Sequence, residues 1–250
     1  MTELRKWALV TGASSGIGRS VAIELSQRYN LVLNGRDATR LEEAKTACCP
    51  NSEIRLWPFD LGHVDELSEG LSSFIRDANL RITSFVHCAG LSRLLPVRST
   101  KLDDLWDTFN TNVFAPFLVV QALASRRINV DALKSVVFIS SNISNRGSKA
   151  FVAYGASKSG LDGLMRCLAV ELAPNVRVNS VLPGAVRTRM TESIFANEEV
   201  VARMKTQYPL GLGQTSNIAD AVSFLLSDKA SWVTGQQITV DGGATINITG

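Results

Sequence analysis

Apolar residues return along the chain in two alternating rhythms. Short runs at Trp7-Ala8-Leu9-Val10, Leu31-Val32-Leu33, Ile54 to Pro58, Thr83 to His87, Lys134 to Ser140, Val176 to Leu182 and Gln237 to Val240 have the length and β-branched content of strands. Between them, apolar positions recur every three or four residues over Arg19 to Tyr29, Asp37 to Cys48, Asp65 to Ile75, Lys101 to Arg126, Ala153 to Ala173 and Asn217 to Ser227, the period of a helix with a buried face. Strands alternating with helices at these lengths predict a parallel sheet reached by right-handed crossovers. The expected fold is therefore α/β, a Rossmann-like doubly wound parallel sheet with helices on both faces, and the 250 residues fit one domain spanning 1–250. Residues 187–213 break the rhythm just past a strand end, where a substrate flap would sit; a plain surface insertion is the other reading.

The stretch LVTGASSGIGRS, at 9–20, joins the first strand to the first helix. There, Gly12, Ser14, Ser15, Gly16, Ile17 and Gly18 would bring backbone amides, hydroxyl donors and a helix N-terminus up to a phosphate. The spacing is G-x-x-x-G-x-G rather than G-x-G-x-x-G, so its place at the first strand-to-helix junction carries the reading more than the glycines do. The second strand ends Leu33-Asn34-Gly35-Arg36, without the carboxylate that would accept hydrogen bonds from the ribose hydroxyls of NAD. Arg36 has the planar fork to pair with a 2′-phosphate, which favours NADP(H) over NAD(H); the alternative is a solvated Arg36 with Asp37 on the ribose.

Composition narrows the partners. With 26 basic and 23 acidic residues and no block of five like charges, neither nucleic acid nor a membrane surface is an expected partner. No stretch is apolar enough for a membrane span. Cys48, Cys49, Cys88 and Cys167 lack C-x-x-C spacing, which suits a reduced, cytoplasmic setting and gives no metal site.

Tyr154 and Lys158 stand four apart on an expected helix, so they share a face. An ammonium there is expected to lower the phenol from about 10 and make it a usable acid or base near neutral pH. The strand in VVFISSNISN delivers Ser140 and Ser141 to its C-terminal end, where ligands bind in open α/β sheets.

Taken together, the chain resembles the short-chain dehydrogenase/reductase family from Thr11 to Gly243. The match includes Thr11-Gly12-x-x-x-Gly16-x-Gly18, Asp60-Leu61, Ala89-Gly90, Asn112 in NTNVF, Ser141, Tyr154-x-x-x-Lys158, Asn179, Pro183-Gly184 with Thr188, and Asp241-Gly242-Gly243. The resemblance implies that Ser141 holds a substrate carbonyl, with Ser140 the alternative by one position, and that Tyr154 exchanges the proton. It further implies that Lys158 meets the nicotinamide ribose and that Asn112 holds a helix kink and a relay water. Asp60 and Leu61 would lie by the adenine, Cys88 (through its backbone), Ala89 and Gly90 by its ribose, and Val186 and Thr188 by the nicotinamide carboxamide. The chain departs from the family at His87-Cys88, where Asn-Asn is usual; His87 reads as a core or hydrogen-bonded histidine.

By the same resemblance, Leu91, Leu94, Leu95, Ile143, Phe151, Val152, Ile194 and Phe195 fall around the substrate, with core burial the alternative for each. The pattern is similar to the 3-oxoacyl-[acyl-carrier-protein] reductase branch, which makes an acyl carrier protein one candidate partner beside a free small-molecule carbonyl or alcohol. That branch often carries an arginine where this chain has Asn175, leaving Arg166 or Arg177 to serve. A non-catalytic dinucleotide sensor is the competing class, but its relatives lose the tyrosine or lysine kept here. Apolar residues on more than one side of helices 101–126 and 153–173 invite association, and the resemblance implies that these helices pair in a homotetramer or homodimer.

Overall fold

The computed structural model describes residues 5–248; the outermost positions of the expected 1–250 domain lie outside the described residues. The elements in chain order are β1 (Trp7–Thr11), α1 (Gly16–Leu25), β2 (Asn30–Gly35), α2 (Ala38–Thr46), β3 (Ile54–Pro58), α3 (Val64–Asp77) and β4 (Ile82–His87). There follow α4 (Leu102–Phe109), α5 (Ala115–Ala124), α6 (Arg126–Asn129), β5 (Ser135–Ile139), α7 (Val152–Glu171) and β6 (Arg177–Pro183). The chain continues through α8 (Glu192–Phe195), α9 (Glu198–Gln207) and α10 (Thr215–Leu226) to β7 (Gln237–Val240).

Seven strands form one sheet in the order β3-β2-β1-β4-β5-β6-β7, and every neighbouring pair is parallel. Both faces are covered over the inner strands β2, β1, β4, β5 and β6, whose residues are almost all buried, while the edge strands β3 and β7 are only partly buried. Side chains alternate across the sheet. Leu9, Val32, Phe85, Val136, Phe138 and Val178 pack with α3, α5 and α7 on one face, while Val10, Leu33, Val86, Val137 and Val181 pack with α1, α2 and α10 on the other. Each fully buried side chain of this size contributes about 1.5–3 kcal/mol, so the two layers fix the sheet firmly.

One expectation changes. The helix predicted over Lys101–Arg126 is not continuous: a π turn, Asn110–Phe114, separates α4 from α5, and the chain becomes extended at Ser125 before α6. Pro116 supplies the reason, because it has no N–H for an i→i−4 bond and its ring would crowd the carbonyl of Asn112; Ala115 N–H donates to Asn110 O across the wider turn. The excursion 187–213 holds α8, α9 and a 3-10 turn at Arg189–Thr191.

Candidate active site

Strand order reverses between β1 and β4, so the loops leaving their C-terminal ends diverge and open a crevice for a ligand. Gly12 begins the first loop at φ +64, and a Cβ there would lie 2.7 Å from the backbone nitrogen of Ala89. A Cβ on Gly18 would lie 2.2 Å from the carbonyl oxygen of Gly12, so α1 reaches the loop only because that position is glycine. Ser15 is the N-cap of α1, yet its side chain caps no N–H and no acidic residue occupies the first turn. The leading amides of α1 are thus free of side-chain caps, as a pyrophosphate would require.

His87 closes the floor of the crevice. It is fully buried, Thr11 Oγ1 lies 2.9 Å from its Nδ1, and its ring packs edge-on against Phe138. Burial and the nearby Lys158 ammonium push it down to about 3, so it stays neutral near pH 7. Cys88 packs beside Gly18 and Lys158, and burial pushes its thiol up.

At the adenosine end, buried Asn34 donates to Trp57 O at 3.0 Å and Phe59 O at 3.1 Å, leaving Arg36 as the exposed group at the strand end. The Arg36 guanidinium lies 3.6 Å from Asp60 Oδ2, while Asp60 Oδ1 accepts from Gly62 N–H. Leu61 is buried next to them. Asp37 is committed elsewhere: as N-cap of α2 it accepts from Arg40 N–H at 3.1 Å and Arg40 Nε at 2.7 Å, and these bonds hold its carboxyl below the usual range.

The second cluster of polar groups forms where α7 crosses the ends of β4 and β5. Asn112, fully buried in the π turn, accepts from Leu91 N–H at 2.8 Å and donates to Leu91 O at 3.0 Å and Ser157 Oγ at 2.9 Å. It thereby ties the loop after β4 to α7, a task for which a π turn aims the side chain inward. Lys158 Nζ donates to Ile139 O at 2.8 Å and stands 5.7 Å from the centre of the Tyr154 ring. Gly90 faces the same group: a Cβ there would sit 3.5 Å from Asn112 Oδ1 and 3.7 Å from Lys158 Nζ.

The adjacent serines divide. Ser140 is buried and its hydroxyl donates to Asp162 Oδ2 at 2.9 Å, whereas Ser141 turns toward the Tyr154 phenol and accepts from Ile143 N–H at 3.2 Å. Burial lowers Lys158 to about 8, opposed by Asp162 and Cys88. Burial also raises the Tyr154 phenol, opposed by the Ser141 hydroxyl. The phenol was expected to be lowered; with the ammonium turned to Ile139 O, the cost of burying a phenolate dominates instead.

The loop after β6 returns to the glycine loop. Val186 is buried and bridges Gly213, and Thr188 lies against Gly16, where a Cβ would be 3.3 Å from its side chain. A cavity of about 410 Å³ opens among Arg187, Thr188, Arg189, Glu192, Phe195 and Ala196. Arg187 lies 5.3 Å over the ring of buried Phe195. Across the mouth, Leu95 pairs with Phe151, whose ring is 5.8 Å from that of Tyr154; Leu94 and Val152 are exposed.

The predicted residues thus form two groups at the C-terminal ends of the strands. Gly12, Ser14, Ser15, Gly16, Ile17, Gly18, Arg36, Asp60 and Leu61 follow β1, β2 and β3; Asn112, Ser141, Tyr154 and Lys158 gather beyond β4 and β5. Cys88, Ala89 and Gly90 lie between the groups, and Val186 and Thr188 reach across from β6. Sequence reading missed Ser157, Asp162 and Tyr208, whose hydroxyl accepts from Ala185 N–H at 2.9 Å. Helical spacing from Lys158 could have flagged Asp162; nothing local marks Tyr208. Among the described residues, no group of three histidine, cysteine, aspartate or glutamate side chains could hold a metal ion, and no helix is long and apolar enough to cross a membrane.

A family described as enoyl-(acyl carrier protein) reductase, within the short-chain dehydrogenases, matches residues 12–245. The chain belongs to the short-chain dehydrogenase/reductase family. Within it, the vibriobactin-specific 2,3-dihydro-2,3-dihydroxybenzoate dehydrogenase of Vibrio cholerae is 30% identical, with 99% of this chain and 98% of that one covered. The 3-oxoacyl-[acyl-carrier-protein] reductase FabG of Staphylococcus aureus is 32% identical over 96% of this chain and 98% of its own. Among solved short-chain dehydrogenase structures, a 4-hydroxyisoleucine dehydrogenase complexed with NADH superposes with a TM-score of 0.89 at 26% identity, covering 97% of this chain and all of the other (100%). A putative 2-deoxy-d-gluconate 3-dehydrogenase from Agrobacterium tumefaciens with bound NADP gives 0.86 at 28% identity, covering 98% of each chain. This short-chain dehydrogenase/reductase is thus an oxidoreductase of the nicotinamide-dinucleotide type.

Proposed function

We propose that this enzyme reduces the carbonyl of a small molecule to a secondary alcohol with NADPH. The observation that carries the reading is the meeting of Ser141, Tyr154, Lys158 and Asn112 beside an uncapped glycine-loop helix in one crevice. The residues fit a dinucleotide. Gly12 to Gly18 hold its pyrophosphate, Arg36 its 2′-phosphate, Asp60 and Leu61 the adenine, and Cys88, Ala89 and Gly90 the adenosine ribose, with Val186 and Thr188 at the carboxamide. Arg36 is free to turn from Asp60, since that pair is long and solvent-exposed, and Asp37 is occupied as a helix cap.

When bound, the reduced nicotinamide supplies a hydride to the carbonyl carbon. Ser141 and Tyr154 donate hydrogen bonds to the carbonyl oxygen, where negative charge develops. Tyr154 gives up the proton; a phenol raised by burial is protonated at neutral pH and so is ready for reduction. Lys158 keeps its charge below about pH 8 and stabilises the phenolate left behind. Asn112 holds Leu91 and Ser157 in place around this corner.

The Arg177 guanidinium donates inward to the carbonyls of Leu225, Ser227 and Val233, so of the two arginines only exposed Arg166 is left to meet an acidic carrier, and we favour a free substrate on that ground. Trp106 and Val170 are more than half exposed, beside Phe114 and Phe117 at over a third, on α4, α5, α7 and the π turn; these apolar patches support assembly into a homotetramer. Four free cysteines accord with a cytoplasmic protein. The test is to follow NADPH consumption with ketones, oxo acids and 3-oxoacyl thioesters, free and carrier-bound. Turnover of a free carbonyl that disappears in Tyr154→Phe supports the reading; tight NADPH binding without any turnover makes the protein a sensor.

A further inference from the structure

One turn of α7 below Lys158, and on the same side of the helix, the Asp162 side chain is almost entirely buried. A buried carboxylate is costly unless its oxygens are bonded or a positive charge lies near. Asp162 Oδ2 accepts from Ser140 at 2.9 Å, but Oδ1 is buried with no hydrogen-bond partner. Its surroundings therefore rest on one hydroxyl and one charge. Ser140 also leans on the carbonyl of Lys158 at 3.4 Å, so this hydroxyl fastens the end of β5 to the turn of α7 that carries the lysine. Ser141 follows directly, and its direction toward Tyr154 depends on where Ser140 is held.

The charge is that of Lys158. The titratable groups around its ammonium are Tyr154 and Asp162 on α7 and His87 and Cys88 at the end of β4. His87 is neutral above about pH 3, burial keeps the Cys88 thiol protonated, and the Tyr154 phenol is raised. Asp162 is the one carboxyl group among them, and its Coulombic pull favours the charged form of Lys158.

We infer that Asp162 is a positioning residue of this enzyme: its carboxylate holds Ser140, and through it the β5 end bearing Ser141, while supplying the charge that keeps buried Lys158 an ammonium. The inference rests on the reading of Ser141, Tyr154 and Lys158 given above. It predicts that losing the carboxylate makes Lys158 release its proton at lower pH.

The test titrates NADPH binding by fluorescence from pH 6 to 10 in the wild type and in Asp162→Asn, Asp162→Glu, Ser140→Ala/Asp162→Leu and Lys158→Met. In the wild type, affinity should fall through an alkaline midpoint, and Lys158→Met should abolish that transition. Asp162→Asn should move the midpoint down by about one pH unit, and Asp162→Glu should restore it. The double variant exchanges both partners for apolar groups, a change that folds tolerate better than one orphaned partner, and should give the same downward move. A folded Asp162→Asn or double variant with the wild-type midpoint overturns the inference. A transition that persists in Lys158→Met instead overturns the reading of Lys158 as the group that meets the cofactor.

Discussion

Helix α7 and the excursion 187–213 are two arms held in different ways. Helix α7 buries eight residues, including Ser157, Lys158 and Asp162, whereas α9, in the excursion 187–213, buries none. Along α7, polar side chains are locked by partners on β5 and the π turn; in the excursion, Leu210 is 87% exposed and Met190 half exposed. Local stability follows buried contact, so α7 stands as a rigid corner while the excursion opens at lower cost.

Removing the proton donor tests the rigid corner most severely. Tyr154→Phe should lower kcat by about a thousandfold or more while changing the NADPH Kd only a few-fold, read by single-turnover kinetics and fluorescence titration. A comparable loss of binding would mean that the phenol positions the cofactor rather than donating a proton. Next in size, Gly18→Ala places a Cβ against Gly12 O and should destabilise the chain by about 3 kcal/mol, with loss of NADPH binding, in urea unfolding and titration.

Acid should separate the two arms through His87. Its folded value of about 3 lies below the ordinary 6.5, so between those limits the unfolded chain binds the extra proton and stability rises with pH. From pH 7 to pH 5 the loss should be about 2 kcal/mol, and His87→Gln should flatten that slope in urea titrations. Arg36→Asp should reduce the preference for NADPH over NADH by at least about tenfold without altering stability. The smallest effect belongs to the excursion: Leu210→Ser should change stability by less than about 0.5 kcal/mol. Limited proteolysis should cut first within 187–213, and cutting within α7 first would erase the contrast drawn above.

Much of this was legible in order. The strands Ile54–Pro58 and Gln237–Val240 fall where their short β-rich runs stand; as the edge strands of the sheet they are only partly buried, so Arg55, Gln237 and Thr239 can interrupt their apolar positions. A strong apolar pattern runs straight through the break at Asn110–Phe114; its signs were Pro116 and the helix kink that the resemblance places at Asn112. The choice between Ser140 and Ser141 was illegible, since neighbours in sequence differ only in which face of the strand end they take. The same is true of the capping of α2 by Asp37, which depends on the turn that leaves β2.

Local pattern and residue type determined the alternation of strands and helices, the glycine loop and the pairing of Tyr154 with Lys158, because each depends on neighbours within a few residues. Tertiary structure decided the environment of those groups. The direction of the Tyr154 shift, the neutrality of His87 and the placing of Asp162 under Lys158 arise from burial and from partners brought in by distant strands, and burial is a property of the assembled fold.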